Sequence, residues 1–171
     1  AGNNASVKII SMSIGSPLSS STVSDGIYYA YNNGKMIFAF FGTSFSWTTW
    51  YGVIFPAWMP ECNAITGVKE GTANTKCSVC HEGSEVDFTI VMERLANADR
   101  NSLGLALTGN NPMYIGGSSC ATATTAGIAA LLWSKTPTAT RTQIFNALRN
   151  TAQFYPNAHS NLGWGKINAS A

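Results

Sequence analysis

A glycine- and serine-rich turn followed by a long run of small apolar residues occupies positions 115–133. Gly116 and Gly117 permit a tight backbone turn that residues with a Cβ resist, and Ser118 and Ser119 follow directly. The small residues after them predict a helix that is packed closely on every side. A serine in its first turn lies among unpaired backbone N–H groups, at the positive end of the helix dipole. Taken alone, the stretch favours a serine N-cap, with a nucleophile beside an anion site as the alternative.

Composition restricts the classes of protein to which the 171-residue chain can belong. Only 11% of the residues are charged, and Ser, Thr, Asn and Gly supply the polar character, as is typical of a secreted globular protein. A net charge of +2 without a Lys/Arg cluster argues against a nucleic-acid partner. No apolar run is long enough to predict a membrane span. The length predicts one domain or the larger part of one, and the start without Met predicts a chain processed from a longer protein.

Strand and helix patterns alternate along the first part of the chain. A strand, a helix that ends at Asn33-Gly34, and a second strand follow one another at residues 7–14, 22–33 and 36–41. This order favours two parallel strands joined by a right-handed crossover. Two further short strands are predicted at residues 64–68 and 86–91, and a capping box at residues 140–143 begins a last helix. An aromatic loop at residues 43–55 and a hairpin arm at residues 93–111 complete the pattern.

The chain contains four cysteines, whose spacing permits disulfides without fixing the pairing. Cys62 and one of Cys77 or Cys80 are the expected partners if a bridge forms, and Cys120 is expected to be a small core residue. Cys77, Cys80 and His81 match Cys-x-x-Cys-His, which keeps a haem-binding electron-transfer protein as an alternative. A zinc site on these residues would lack an obvious fourth ligand. The pattern favours a disulfide or two free thiols in a surface loop.

A set of short motifs, in a fixed order, covers nearly the whole chain. They lie at residues 10–15, 34–42, 55–60 with 65–68, 117–121 and 163–169. In order and spacing they resemble the substrate-pairing strand, the strand before the oxyanion residue, the Tyr/Phe-Pro-Ala motif, the nucleophile motif Gly-Thr-Ser-x-Ala and the closing Gly-Tyr-Gly-x-Val-Asn-Ala of the subtilisin-like serine proteases. The resemblance implies an α/β fold, a three-layer sandwich with a mainly parallel sheet. Residues 1–171 would form the C-terminal portion of one catalytic domain, with the upstream Asp/His-bearing part outside this chain.

The resemblance also implies the chemistry. Ser119 would be the nucleophile, with Ser118 at the Thr position of the family motif. The His and Asp of the family's triad lie upstream of the matching region, and neither His81 nor His159 falls in a matching motif. We therefore expect a serine endopeptidase whose His and Asp come from a segment or chain outside this one. The alternative is a catalytically silent subtilisin-like domain that binds peptides or a protein.

Two departures from the family concern substrate binding and the oxyanion. Thr43 follows Gly42 where the family has the Asn that donates to the oxyanion, so we expect the main-chain N–H of Ser119 to hold that charge, with the Thr43 hydroxyl as the candidate second donor. Phe40, Phe41 and Gly42 are also expected to contribute to substrate binding. The two phenylalanines stand where the family has small residues lining its primary specificity pocket, which would be shallow if both pointed inward. Three residues are expected to pair with the substrate backbone as an added strand: Ser13, Ile14 and Gly15.

The remaining expectations concern location and partners. The resemblance implies a peptide or protein substrate and a secreted or otherwise extracytoplasmic location. No cofactor is required for the chemistry. Calcium is common in the family, but no site for it can be assigned to residues of this sequence. Neither a nucleic acid nor a membrane is an expected partner.

Overall fold

The computed structural model describes residues 1–44, 51–69, 71, 74–92 and 117–170. The predicted hairpin arm at residues 93–111 and residues 45–50 of the predicted aromatic loop lie outside the described residues. Each predicted strand and helix is present, and the first strand is shorter than the apolar run that predicts it. In chain order the elements are β1 (Ile9–Met12), α1 (Ser21–Asn32), β2 (Met36–Phe40), β3 (Cys62–Val68), β4 (Phe88–Val91), α2 (Ser118–Lys135) and α3 (Arg141–Asn150).

The four strands form one parallel sheet in the order β1-β2-β3-β4. Its register pairs Ile10 with Ile37 and Ala39 with Ala64. Helix α1 connects the parallel strands β1 and β2, which confirms the predicted strand-helix-strand crossover. Because all the strands run the same way, their carboxyl ends meet at one edge of the sheet, where α/β proteins place their ligands.

Helices cover both faces of this sheet. Met36 and Phe38 of β2 belong to a core cluster with residues of α2 and α3. Ile37 and Ala39 point the other way and belong to a second cluster with residues of α1. Successive side chains of a strand point to opposite faces, so the fully buried β2 contributes to two cores. This arrangement confirms an α/β fold with helices on either side of a parallel sheet.

The starts of the helices decide which hydroxyl groups remain available. The predicted capping box is present in α3, where Thr140 accepts from the Gln143 N–H and the Gln143 side chain accepts from the Thr140 N–H. Helix α2 begins differently: its N-cap is Gly117, whose φ of 113° favours glycine, and no side chain caps it. The serine N-cap favoured by the isolated stretch is therefore wrong. In the described part of the chain, no helix is long and apolar enough to cross a membrane.

The disulfide joins Cys77 to Cys80, with their Cα atoms 5.0 Å apart. The expectation that Cys62 pairs with one of them is wrong, because Cys62 is a free thiol in the cluster on the α1 face whereas the bonded pair belongs to the cluster on the other face. Cys120 is also free, and it packs against the core cluster that contains residues of α2 and α3, as predicted. Both bonded cysteines are buried rather than in a surface loop. Sulfurs joined to each other do not provide the thioether bonds of a haem or the thiolates of a zinc site.

Candidate active site

The carboxyl ends of β1 and β2 meet the N-terminus of α2, and this junction brings together residues that the sequence predicts to act together. The Ser13 hydroxyl donates to the Ser119 carbonyl oxygen at 2.8 Å. The Gly42 N–H donates to Ser118 Oγ at 3.2 Å. Segments more than 70 positions apart in the chain are thereby joined around two adjacent serines.

Ser118 is fully buried and its polar atoms are occupied. Its hydroxyl donates to the Gly42 carbonyl at 2.8 Å, and its own N–H donates to Thr43 Oγ1 at 3.1 Å. Its carbonyl accepts from Thr122 Oγ1, one turn further along α2. Ser118 therefore fastens the start of α2 to the end of β2.

The hydroxyl of Thr43 is engaged with Ser118 as well, at an Oγ–Oγ distance of 2.8 Å. The Gly42 carbonyl can only accept, so the single hydroxyl hydrogen of Ser118 is directed to it. The hydrogen between the two hydroxyls must then belong to Thr43. An oxyanion role for this hydroxyl would require the hydrogen to leave Ser118, and that role stays a prediction.

Ser119 lies in a different environment from its neighbour. It is partly exposed, and no side chain among the described residues hydrogen-bonds to its hydroxyl. Its N–H belongs to the first turn of α2, where backbone donors have no acceptor within the helix. A hydroxyl oxygen here can attack an electrophile while a backbone donor and the helix dipole stabilise the negative charge that develops nearby.

The segment predicted to pair with substrate is open on its outer side. Ser13, Ile14 and Gly15 follow β1 and are exposed, with Ile14 69% exposed. On the inner side, a Cβ built on Gly15 would lie 2.4 Å from the Phe55 carbonyl oxygen. Ser16 and Phe55 exchange two backbone hydrogen bonds, of 2.9 and 3.0 Å. The segment is thus anchored just beyond Gly15 and accessible along the rest of its length.

The structure places Phe40 and Phe41 on opposite sides. Phe41 is fully buried in the core cluster on the α1 face and packs against Gly83. Phe40 belongs to neither core cluster, and its Cε1 atom would lie 2.8 Å from a Cβ on Gly15. Only Phe40 therefore borders the segment expected to bind substrate.

The histidines have structural partners. Burial lowers the pKa of His81, whose Nε2 lies 2.8 Å from Ser44 Oγ and whose Nδ1 lies 2.8 Å from the Gly52 carbonyl oxygen. His159 stacks on Phe154, and its Nδ1 accepts from the Asn161 N–H. No described contact joins either imidazole to Ser119. The sequence did not predict that His81 lies beside the end of β2, although the Cys-x-x-Cys-His pattern marked the residue.

In the described residues, no group of three or more His, Cys, Asp and Glu side chains is arranged to hold a metal ion. Calcium, which is common in the family that the sequence resembles, stays an expectation for this chain.

The amino-acid sequence matches known proteins over nearly its whole length. A sequence model of the Subtilase family matches residues 1–165. Subtilisin E of Bacillus subtilis (strain 168) is 32% identical over 163 residues, which are 95% of this chain and 40% of that protein. M-protease of Shouchella clausii (strain KSM-K16) is 29% identical over 171 residues, which are 100% of this chain and 41% of that protein. The chain thus spans about two fifths of the length of these relatives.

Solved structures share the fold. Sphericase superposes with a TM-score of 0.75 at 22% identity, covering 95% of this chain and 57% of that one. The MycP3 protease from the type VII (ESX-3) secretion system superposes with a TM-score of 0.72 at 20% identity, covering 96% of this chain and 53% of that one. With the family match over residues 1–165, the parallel sheet and the Gly-Ser-Ser motif at the start of α2, the chain belongs to the subtilase family of serine proteases.

Proposed function

We propose that this chain supplies the nucleophile and the substrate-binding edge of a serine endopeptidase, with the His and Asp contributed by a segment outside it. One observation carries the proposal. Of two adjacent serines at a helix start that no side chain caps, Ser118 has its hydroxyl engaged in hydrogen bonds, whereas Ser119 is a partly exposed residue whose hydroxyl has no partner among the described side chains. Membership of the subtilase family supports the same assignment.

In this mechanism Ser119 Oγ attacks the carbonyl carbon of the scissile peptide bond. The hydroxyl proton passes to the imidazole supplied from outside the chain, and the carbonyl π electrons move to the oxygen. The Ser119 N–H at the positive end of α2 stabilises this oxyanion. The imidazole then gives the proton to the leaving amine, and water hydrolyses the acyl-enzyme by the same steps.

The substrate binds along the segment after β1. Ser13, Ile14 and Gly15 are exposed, and the Ser13 hydroxyl reaches the Ser119 carbonyl, so an extended peptide beside them lies next to the nucleophile. Peptides commonly bind to a free strand edge by adding one strand. Phe40 then occupies the space that a bulky substrate side chain would need beside Gly15, which favours substrates with a small residue before the scissile bond.

The segment that brings the His and Asp packs against surfaces that the described residues leave uncovered. Strand β1 is at an edge of the described sheet. Helix α2 is apolar around its circumference, yet Ala123, Gly127 and Leu131 are exposed on one side. A cavity of 460 Å³ between β1 and α2 is lined largely by apolar groups, including Ile9 and Trp133. A helix that is hydrophobic all round is typical of a domain interior, so these surfaces fit the remainder of one catalytic domain.

A second candidate function is a catalytically silent domain that binds peptides. The hydrogen bond from the Thr43 hydroxyl to Ser118 favours it, because a second oxyanion donor is then absent from this position. The same exposed segment after β1 would bind the peptide without cleavage. An extracytoplasmic location is proposed for either function, because the Cys77–Cys80 disulfide persists most readily in oxidising compartments.

Labelling with a fluorophosphonate distinguishes the two. The probe is applied to the full-length protein, including the upstream segment, and the modified residue is located by mass spectrometry. We expect one label on Ser119, lost in Ser119→Ala and retained in Ser160→Ala, a control at an exposed loop serine. A folded full-length protein that binds peptides and takes no label would contradict the enzyme and support the silent domain.

A further inference from the structure

His81 is a fully buried titratable residue to which the proposed chemistry gives no role. Its main chain lies against the segment after β2. The His81 N–H donates to the Gly42 carbonyl at 3.0 Å, and the Ser44 N–H donates to the Val79 carbonyl at 2.8 Å. Between them, Thr43 and Cys80 form an antiparallel bridge. Residues 79–81 therefore run as a short added strand along residues 42–44.

The imidazole reinforces this pairing. Its Nδ1 lies 2.8 Å from the Gly52 carbonyl oxygen and 3.2 Å from the Gly52 nitrogen. The carbonyl can only accept and makes the shorter contact, so we place the hydrogen on Nδ1, which leaves Nε2 to accept from the Ser44 hydroxyl. The ring lies 4.5 Å from that of Tyr51, centroid to centroid. A Cβ on Gly42, whose φ is 157°, would lie 2.4 Å from Nδ1. The imidazole ring is thus in direct contact with residues 42–44, through packing on Gly42 and the hydrogen bond from Ser44.

The loop that carries His81 is itself fixed to the middle of the sheet. The Cys77 N–H donates to the Gly67 carbonyl at 2.8 Å, and the Thr66 hydroxyl donates to the His81 carbonyl. The disulfide to Cys80 closes the loop between these two anchors. We call the set of residues 77–81 with these contacts the brace. It connects β3 to the segment after β2.

On the opposite side of that segment, Gly42 and Thr43 hold Ser118 by four hydrogen bonds, so the brace reaches the residue next to Ser119. We propose that His81 is a positioning residue for the Ser119 nucleophile. By fixing residues 42–44 through the Ser44 hydroxyl and the Gly42 carbonyl, it sets where the first turn of α2 begins. This inference rests on the proposed function, because it assigns His81 to the reaction of Ser119.

The test compares His81→Phe with His159→Phe in the full-length protein. Phenylalanine keeps a ring against Tyr51 but removes the bonds to Ser44 and Gly52. The control makes the same change at a histidine that already stacks on Phe154, outside the described contacts of the site. The kcat and KM are measured per active site, counted by fluorophosphonate titration, so that unfolded molecules do not contribute.

For His81→Phe we expect kcat per titrated site to fall about tenfold or more with KM within about twofold, since a small displacement of a reacting group is costly. His159→Phe should leave both constants unchanged. Ser44→Ala removes one hydrogen bond and should lower kcat in the same direction by a smaller factor, which covers the case in which His81→Phe does not fold. An unchanged kcat per titrated site in Ser44→Ala or in folded His81→Phe overturns the inference, even if the melting temperature falls.

Failure of the proposed function is detected separately. If the wild-type protein takes no label, the brace is tested by hydrogen exchange of the Ser118 amide, which donates to Thr43. His81→Phe and Ser44→Ala should each speed that exchange about tenfold or more relative to His159→Phe, because the acceptor is then no longer held in place. Equal exchange in all variants overturns the inference whether or not Ser119 reacts.

Discussion

The two sides of Ser119 are built in opposite ways. On the side of β2, the residues Gly42, Thr43 and Ser44 are here called the braced side. They have hydrogen-bonding partners in Ser118 on one side and in residues 79–81 on the other. On the side of β1, the residues Ser13, Ile14 and Gly15, here called the open side, are exposed, and one hydrogen bond joins them to Ser119. A site of this kind fixes the reacting group on one side and leaves backbone groups available to a ligand on the other.

The same contrast separates the two adjacent serines. Successive residues of a helix point in directions about 100° apart. The Ser118 side chain therefore points towards the braced side, and that of Ser119 points away from it. Because Gly117 is the N-cap, neither hydroxyl is needed to cap the helix. The consequence is one serine that serves packing and one that is available for chemistry.

The largest loss of Ser119 reactivity is expected when the hydroxyl of Thr43 is removed from the braced side. Thr43→Val keeps the shape but removes the acceptor of the buried Ser118 N–H and the donor to Ser118 Oγ. We expect the free energy of unfolding to fall by about 1–3 kcal/mol, because one buried donor, the Ser118 N–H, is left unpaired. The rate of fluorophosphonate labelling at Ser119 should fall by about 100-fold, as for a misplaced reacting group.

Thr43→Ser is the matched control, because it keeps the hydroxyl and should retain both stability and labelling. Hydrogen exchange of the Ser118 amide shows how the hydroxyl acts. If Thr43→Val slows labelling but leaves this exchange unchanged, Thr43 acts directly on the oxyanion rather than through Ser118, and the braced side is not what positions Ser119.

A smaller loss of activity is expected from a substitution on the open side. In Gly15→Ala the new Cβ would lie 2.4 Å from the Phe55 carbonyl oxygen, a backbone atom that cannot turn away. We expect the segment to shift outward, with a rise in KM of about tenfold, a smaller change in kcat and a loss of about 1–3 kcal/mol in stability. Steady-state kinetics with a peptide substrate and thermal unfolding measure these effects.

Gly26→Ala in α1 is the matched glycine control, because nothing lies within 4 Å of its Cβ position. That change should raise stability by about 0.5–1 kcal/mol and leave KM unchanged. A fall in kcat with constant KM in Gly15→Ala would mean that the open side positions Ser119 too, and the contrast between the two sides would be lost.

The next effect concerns selectivity rather than total activity. Phe40→Ala empties the space beside Gly15, so peptides with Phe before the scissile bond should gain about tenfold in kcat/KM relative to peptides with Ala there. Phe41→Leu is the control, since Phe41 lies in the core cluster on the α1 face. It should lower stability without altering the ratio. A wild-type preference for large residues would show that Phe40 does not limit the substrate.

Much of the fold is visible in the sequence, because near-continuous apolar runs are typical of buried parallel strands. The capping box of α3 is equally local, since Thr140 and Gln143 are three positions apart. Long-range geometry is not visible in this way. The spacing of the cysteines does not show that Cys62 lies on the opposite face of the sheet from the other pair.

The candidate site likewise combines local features, which the sequence predicts, with long-range features, which it does not. The motif around Ser119 is local and marks the residue, but whether Ser118 caps the helix depends on Gly117 and on Thr43, which arrives from another part of the chain. Alternation along a strand predicts that Phe40 and Phe41 point in opposite directions. It does not say which of them meets Gly15, because that depends on how β1 and β2 end together.

The smallest effect on reactivity is expected from Asp87, which lies on neither side of Ser119. Burial raises the pKa of its carboxyl from 3.8 to about 6, although the Ala64 N–H donates to it and acts in the opposite direction. A folded-state pKa above the unfolded one stabilises the protein below pH 3.8, and this contribution is lost as the pH rises through about 6. It amounts to about 3 kcal/mol at most, since each pKa unit is worth about 1.4 kcal/mol.

Asp87→Asn keeps an oxygen for the Ala64 N–H and has no proton to lose. Its free energy of unfolding, measured with a chelator present, should match the wild type near pH 4 and exceed it by about 1–3 kcal/mol at pH 8. Labelling of Ser119 per folded molecule should be equal in the two proteins at both pH values, because neither the braced side nor the open side contacts this carboxyl. If Asp87→Asn is instead less stable than the wild type at pH 8, the folded protein stabilises the charged form of Asp87 and the expected pH dependence is wrong.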